Sequence, residues 1–275
     1  MTARAGAVIA RQYRVEGVLG EGGMGIVLAA RDLELGRRVA LKLLRKDAIA
    51  DGAVDRFLRE ARAAAALESE HVARVLEVGR TRAGEPYLVL ERLDGEDLHA
   101  RVASGPPART GDAVRWILQA CEGLAAAHAS GIIHRDLKPS NLFLARRPDG
   151  SELVKLLDFG LAKNPSEDDG RITASGAILG SPSYMSPEHL SGRPLDARSD
   201  VWSLGVTLYE ILTRTLPFPG RTTPEICAAV LSATPAPLAA HRADVPRELE
   251  AILVACLSKD PAGRPASVAE LAARL

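Results

Sequence analysis
The apolar residues of this 275-residue chain change their spacing once, near residue 92, and that change limits the folds open to it. Before it, short apolar runs dominate: Tyr13 to Leu19, Ile26 to Ala30, Arg38 to Leu44, Val75 to Gly79 and Tyr87 to Leu90. Charged or glycine-bearing turns separate them, as at Asp32 to Gly36 and Arg82 to Pro86, and runs so bounded read as strands. One helix interrupts them, with Phe57, Leu58, Ala61, Ala64, Ala65 and Leu67 recurring at helical spacing. Successive short strands with a single helix imply an antiparallel sheet, because a parallel one would alternate strand and helix.

After Leu93 the spacing becomes helical. Val114, Ile117, Leu118, Cys121, Leu124 and His128 share one face of an amphipathic helix, and Leu249, Ile252, Leu253, Cys256 and Leu257 form another stripe. Val201 to Leu212 is apolar nearly all round, which predicts a helix buried at the centre of its lobe. A hairpin is predicted from Leu142–Leu144 and Leu153–Leu157, turning at Pro148-Asp149-Gly150. A polar stretch follows from Asn164 to Pro187, long enough to carry function or to move. The reading is an α+β chain: a tail over 1–12, a strand-rich lobe over 13–92 and a larger helical lobe over 93–275.

Lysine plus arginine and aspartate plus glutamate both total 35, so the formal charge is zero and no basic excess points to nucleic acid. Cys121, Cys227 and Cys256 are odd in number and form no metal-type spacing, so they read as buried small residues in a reducing compartment. No stretch approaches the roughly 18 apolar residues of a membrane span. Met1 to Ala10 is too short and weakly apolar for a signal sequence, which makes the chain read as cytosolic.

Gly20, Gly22 and Gly25 stand at GxGxxG spacing within Leu19-Gly20-Glu21-Gly22-Gly23-Met24-Gly25-Ile26-Val27. Glycine lets backbone N–H groups approach phosphate oxygens. A dinucleotide turn would be followed by a helix, whereas Ile26-Val27-Leu28 is strand-like, so the loop reads as a hairpin lid. Val39-Ala40-Leu41-Lys42 places one cation in an apolar strand, and Glu60 on the next helix is a candidate partner that would hold it against phosphate. Taken alone, Lys42 reads equally as a snorkelling surface lysine, and Glu60 as one solvated helix charge among several.

The specific signal is His134-Arg135-Asp136-Leu137-Lys138-Pro139-Ser140-Asn141, followed after the hairpin by Asp158-Phe159-Gly160. Seven fixed positions, at about one in twenty each, coincide by chance on the order of once in a billion. On these motifs the chain resembles protein kinases of the serine/threonine class, within the bacterial eukaryotic-like group (Hanks-type, PknB-like), whose first loop has similar Gly-Gly-Met-Gly wording. The resemblance spans about residues 13–275 and implies a bilobal fold, a small antiparallel-sheet lobe with one main helix and a larger helical lobe.

The resemblance assigns roles residue by residue. Asp136 accepts or orients the proton of the attacking hydroxyl, and Lys138, at a position typical of serine/threonine kinases, supplies charge to the transferring phosphoryl group. Asn141 and Asp158 offer oxygen ligands to Mg²⁺, with Mn²⁺ as the alternative. Leu19, Gly20, Glu21, Gly22, Gly23, Met24 and Gly25 cover the ATP phosphates, with Lys42 held by Glu60. Val27, Ala40 and Phe143 sandwich adenine, Leu90 is the gatekeeper, main-chain groups of Glu91 and Leu93 bond the base, and Asp97 reaches the ribose. His134 is structural, packed near Phe159.

Gly180 to Glu188 resembles the end of the family's activation segment, with Ser181 and Ser186 where threonine and alanine are commoner. Ser181 keeps a hydroxyl able to bridge Asp136 and Lys138. Glu188 is implied to pair with Arg264, and Asp200 to anchor the catalytic loop while also capping its helix. Arg135 would await a phosphate on Thr173 or Ser175, installed by autophosphorylation. The implied partners are ATP and protein substrates, with a homodimer through the small lobe as a further state. A membrane-anchored receptor whose cytosolic part is this domain also fits the resemblance. A pseudokinase and a small-molecule phosphotransferase are the rival readings: the first would lack Lys42, Asp136, Asn141 or Asp158, and the second the Ser181–Glu188 segment and Arg264.

Overall fold
The computed structural model describes residues 4–22, 25–44, 53–159 and 182–275. The chain forms two compact units, one from Met1–Glu68 with Ala73–Asp94 and one from Ser69–Val72 with Gly95–Leu275.

The first unit contains β1 (Val8–Ile9), β2 (Tyr13–Gly22), β3 (Gly25–Asp32), β4 (Arg38–Leu44), α1 (Ala53–Ala65), β5 (Val75–Arg80) and β6 (Pro86–Glu91). The strands form one antiparallel sheet in the order β1-β2-β3-β4-β6-β5. Side chains alternate across a strand, so Val39, Leu41 and Leu43 enter the core while Ala40 and Lys42 point to the opposite face. Tyr13, Val15, Leu28, Ala30, Tyr87 and Val89 complete that core. The expected tail over 1–12 contributes β1, whose Ile9 is buried in the same cluster.

The sheet is strongly curled, and one carboxylate shows it. Tyr13 on β2 and Glu77 on β5 are hydrogen-bonded although β3, β4 and β6 lie between them in the sheet. A flat sheet at about 4.8 Å per strand would hold them roughly 19 Å apart. Tyr87 Oη donates to the other oxygen of Glu77 at 2.6 Å, and the two phenol rings meet edge to face at 6.1 Å. Burial, then the bond to Glu77, pushes both phenol pKa values above their ordinary value. On α1, Phe57, Leu58, Ala61 and Ala64 are buried as the spacing predicts. Ala65 is exposed and Leu67 lies beyond the helix end, so the expected stripe is two residues too long.

The second unit contains β7 (Gly95–Asp97), α2 (Leu98–Ser104), α3 (Thr110–Ala129), β8 (Leu142–Arg146), β9 (Glu152–Leu156), α4 (Pro187–Leu190), α5 (Ala197–Thr213), α6 (Thr223–Ser232), α7 (Arg247–Cys256) and α8 (Val268–Arg274). The expected hairpin is β8–β9, with Gly150 at φ 83° in its turn. β7, too short to read from sequence, adds a third strand. Helix α5 is the hub: Val201, Trp202, Leu204, Val206, Ile211 and Leu212 are fully buried, and Trp202 stacks on Phe218 at 5.4 Å. Each such aliphatic contributes about 1.5–3 kcal/mol.

The buried stripe of α3 is Ala113, Trp116, Ile117, Ala120, Cys121, Gly123, Leu124 and Ala127. Val114, Leu118 and His128, expected on it, are only half-buried because small residues set the line of closest approach. Gly123 shows why: a Cβ there would lie 2.8 Å from the His71 carbonyl oxygen. His71 belongs to the short segment tied to β9, with its oxygen accepting from Leu156 N at 2.8 Å and its Nδ1 bonded to Val154 O at 2.9 Å. Cys121 and Cys256 are buried, and burial pushes their thiols up to about 12. Cys227, expected to be buried, is half-exposed.

Glu77→Ala would leave two buried phenol oxygens without an acceptor. It should lower stability by about 2 kcal/mol, against about 1 kcal/mol for Tyr87→Phe. Thermal unfolding followed by circular dichroism checks the order of the two.

Candidate active site
Strand register gathers one group of candidates on the first unit. Val27 pairs with Lys42, and Ala40 pairs with Ala29 on one side and Leu90 on the other. Partners across a ladder share a face, so Val27, Ala40, Lys42 and Leu90 stand together opposite the core. The glycine loop continues the β2–β3 ladder as Gly20–Val27, Glu21–Ile26 and Gly22–Gly25, the hairpin expected. Gly25 has a packing reason, since a Cβ would fall 2.1 Å from Leu43 O. A Cβ on Gly20 or Gly22 would meet nothing within 4 Å among the described residues, so packing inside the unit does not demand glycine there. Leu19 is 40% exposed beside them. Gly23 and Met24 lie outside the described residues. Glu60 is half-buried on α1, between buried Leu58 and Ala61.

The second group lies on the loop between α3 and β8. Asp136 is its centre: Lys138 Nζ is 3.0 Å from Oδ2, and Asn141 Nδ2 donates to the same oxygen at 3.1 Å and to the Asp136 main-chain oxygen at 2.7 Å. With both amide hydrogens turned to Asp136, the remaining polar atom of Asn141 is its carbonyl oxygen. Leu157 N bonds Asn141 O at 2.9 Å, so Asp158 leaves the hairpin beside Asn141. Arg135 and Asp158 hold φ values of 64° and 50°, left-handed conformations that cost a non-glycine residue about 1–2 kcal/mol each. Phe143, on β8, pairs with Asp97 across the ladder.

Buried Asp200 supports the strained loop. Its Oδ1 accepts the Arg135 N–H at 3.1 Å and its Oδ2 the His134 N–H at 2.9 Å. His134 is fully buried, and burial holds its pKa below the ordinary value despite Asp200 and Asp136 nearby. The neutral ring accepts from Asp136 N on Nδ1 at 3.3 Å, faces Leu157 O with Nε2 at 2.9 Å, and lies 4.7 Å from the Phe159 ring. Asp200 does not cap its helix; Asp196 does, accepting from Arg198 N at 2.8 Å. Asp97 likewise caps α2, accepting from Ala100 N at 2.8 Å.

Arg264 grips Glu188 with both arms of its guanidinium, at 2.7 and 2.8 Å, and Ser199 Oγ adds a third bond at 2.7 Å. Burial opposes the carboxylate charge, but the Arg264 bonds and charge override it and lower the Glu188 pKa to about 2. The sequence profile described as "Protein kinase domain" matches residues 13–274. The chain belongs to the protein kinase family.

Kinases of this family use ATP and a divalent metal ion. The domain is 41% identical to serine/threonine-protein kinase pkn3 of Myxococcus xanthus over 98% of this chain and 50% of that protein. It is 38% identical to PknB of Mycolicibacterium smegmatis over 96% of this chain and 42% of that protein. The chain thus spans about half the length, or less, of these curated relatives. The crystal structure of the Mycobacterium tuberculosis PknI kinase domain matches with a TM-score of 0.78 and 27% identity, covering 98% of this chain and 97% of that one. Among the described residues no helix is long and apolar enough to cross a membrane.

Gly160, Thr173, Ser175 and Ser181 lie outside the described residues, and the bridge and phosphate readings lie there with them. Sequence reasoning missed how the end of that segment is fastened. Ser186 caps α4 by accepting from His189 N, a capping signal present in Ser186-Pro187-Glu188. Ser203 Oγ donates to Tyr184 O at 2.8 Å, and Tyr184 Oη donates to Glu210 at 2.6 Å. Burial raises the pKa of Glu210.

The Glu188 carboxylate has a folded pKa below its ordinary 4.5, so its stabilisation is complete above that value and is lost as pH falls toward about 2. The loss should be on the order of 3 kcal/mol, and Glu188→Gln should flatten the stability curve across that window. Urea unfolding at several acid pH values measures it.

Proposed function
We propose that this domain transfers the γ-phosphoryl group of ATP to serine or threonine hydroxyls of proteins, with Asp136 as the general base or orienting group. The observation that carries the reading is the cluster in which Lys138 Nζ and Asn141 Nδ2 converge on Asp136 Oδ2, at 3.0 and 3.1 Å. Phosphoryl transfer asks a protein for position and charge more than for covalent chemistry. Asp136 orients the incoming hydroxyl and takes its proton; Lys138 offsets charge on the transferring group. The lysine two residues after the base, and the serine/threonine relatives, favour alcohol side chains over tyrosine.

On the first unit, Lys42 would hold the phosphates with Glu60 as its support, and Gly20, Gly22 and Gly25 would bring backbone N–H groups to them. Val27, Ala40 and Leu90 would line the base. Of the Glu91 and Leu93 main-chain groups, the reading calls on the Glu91 carbonyl and the Leu93 amide. The Glu91 amide bonds Arg74 O, and the Leu93 carbonyl accepts from Arg92, each at 3.0 Å. Asn141 and Asp158 would hold the metal, Mg²⁺ or in its place Mn²⁺. Two hard oxygen donors fit an ion that takes its other ligands from phosphates and water, and no cluster of three His, Cys, Asp or Glu occurs among the described residues. Bound there, the metal would neutralise phosphate charge.

Incubation with labelled ATP, Mg²⁺, a generic basic protein and a small alcohol tests the reading. Label should enter the protein, and Asp136→Asn should lower kcat by about 10²–10⁴-fold. Transfer only to the alcohol, or none, would reject it. Mass spectrometry of the protein made in bacteria should also find phosphate on Thr173 or Ser175, absent from a Lys42→Ala control. An active sample lacking phosphate at both removes the autophosphorylation arm.

A further inference from the structure
Lys259, just beyond α7, carries its amine into a setting for which the kinase reading has no use. Its Nζ donates to Val230 O at 2.6 Å and lies 3.6 Å from the centre of the Phe218 ring and 4.9 Å from that of Trp202. Val230 stands in the last turn of α6, where carbonyl oxygens lack partners within the helix, so the amine caps that helix end. The backbone beneath it is held as well, since Arg264 donates to Ser258 O at 2.8 Å and to Lys259 O at 3.4 Å. A helix end and two ring faces would suit a guanidinium, which stacks better on aromatic rings and never loses its charge. Of the 35 lysines and arginines in the chain, 6 are lysine, and one of those stands here.

A positive charge is poorly matched at this place. Among the described residues no carboxylate pairs with it: Glu188 is taken by Arg264, and Asp260 accepts from Ala262 N in its own turn at 3.0 Å. Arg264 brings a second cation over the Trp202 ring, at 5.0 Å. Burial, then the Arg264 charge, lowers the Lys259 pKa to about 8. An ammonium has three N–H groups, and the carbonyl and the Phe218 face use two. Loss of the third keeps the bond to Val230 and leaves a lone pair on a side chain that is only half-buried.

We propose that Lys259 is an N-acylation site, its amine taking the acyl group of a small acyl phosphate and giving up the α6 carbonyl. The lone pair attacks the acyl carbon and a C–N bond forms. The C–O bond to phosphate breaks, phosphate leaves with the electron pair, and the proton from nitrogen passes to water. The product is a neutral amide with one N–H and an added acyl group to accommodate. The charge over Phe218 is lost, and the last turn of α6 loses its cap.

The test is incubation with acetyl phosphate, with Nα-acetyllysine amide present as an ordinary amine and peptide mass spectrometry reading the modification. At about pH 7.5 roughly a quarter of Lys259 is neutral, against about one in a thousand for an amine at the ordinary 10.5. A less basic nucleophile attacks more slowly, which leaves Lys259 a net advantage of about tenfold. Its rate should level off above about pH 8, while that of the free amine keeps rising toward its own pKa. In the acetylated protein, and in Lys259→Gln, amide exchange at Ser232 and Ala233, resolved by NMR, should speed up by about tenfold. A Lys259 rate at or below that of the free amine, or one that climbs in parallel with it, would overturn the site. Unchanged exchange in fully acetylated protein would overturn the release of α6. Both readouts are available on the wild-type sequence, so they decide even if Lys259→Gln fails to fold.

Discussion
A buried carboxylate anchors the loop between α3 and β8. Asp200 comes from the helix most deeply embedded in the second unit and spends its charge on main-chain N–H groups of a loop that has no regular structure of its own. Isolated in such surroundings the charge would cost several kcal/mol, so it persists only where donors are aimed at it. The arrangement works in both directions: the loop neutralises the carboxylate, and the carboxylate imposes a conformation that the loop would not adopt unaided. Rigidity is thereby transferred from a packed helix to a strained turn carrying Asp136, Lys138 and Asn141.

The first unit solves a different problem with the same economy. Its sheet has two faces with different tasks, and strand alternation divides Val39, Leu41 and Leu43 from Ala40 and Lys42. The curl that brings β2 to β5 is stabilised by a polar clamp, two phenols on the carboxylate of Glu77. Elsewhere a buried charge is matched by a fork of two parallel bonds, as Arg264 meets Glu188. Such pairing gives directional restraint rather than large net stability, since desolvation offsets most of the attraction.

Much of this was legible in the sequence where signals were either periodic or dense. The strands of the first unit, the all-apolar helix α5 and the β8–β9 hairpin followed from spacing alone, and the His134–Asn141 run singled out the loop between α3 and β8. The failures share a physical origin. The close-packed line of α3 runs through Ala113, Ala120, Gly123 and Ala127, residues whose importance lies in what they leave out, and hydropathy is nearly blind to them. Strand β7 is three residues long and has no period to detect. Asp200 read as a helix cap because a charge before an apolar run resembles one; the cap was Asp196, one turn earlier, and only coordinates show which carboxylate meets the helix N–H groups. His128 read as a stripe residue because nothing in its neighbours announces its bond to Asp200, 72 positions away.

The four residues Ser69–Val72 carry a consequence for how this protein can be dissected. They lie in the chain between α1 and β5, yet they belong to the second unit, where His71 bonds Val154 and Leu156. The polypeptide therefore passes between the units three times, and the smaller one is not a contiguous stretch. A fragment cut after Asp94 would carry His71 and Val72 stripped of their partners, with apolar and polar groups newly wetted in the middle of it. Modularity here belongs to compactness and not to the order of the genetic message, so neither half is a natural unit for recombination.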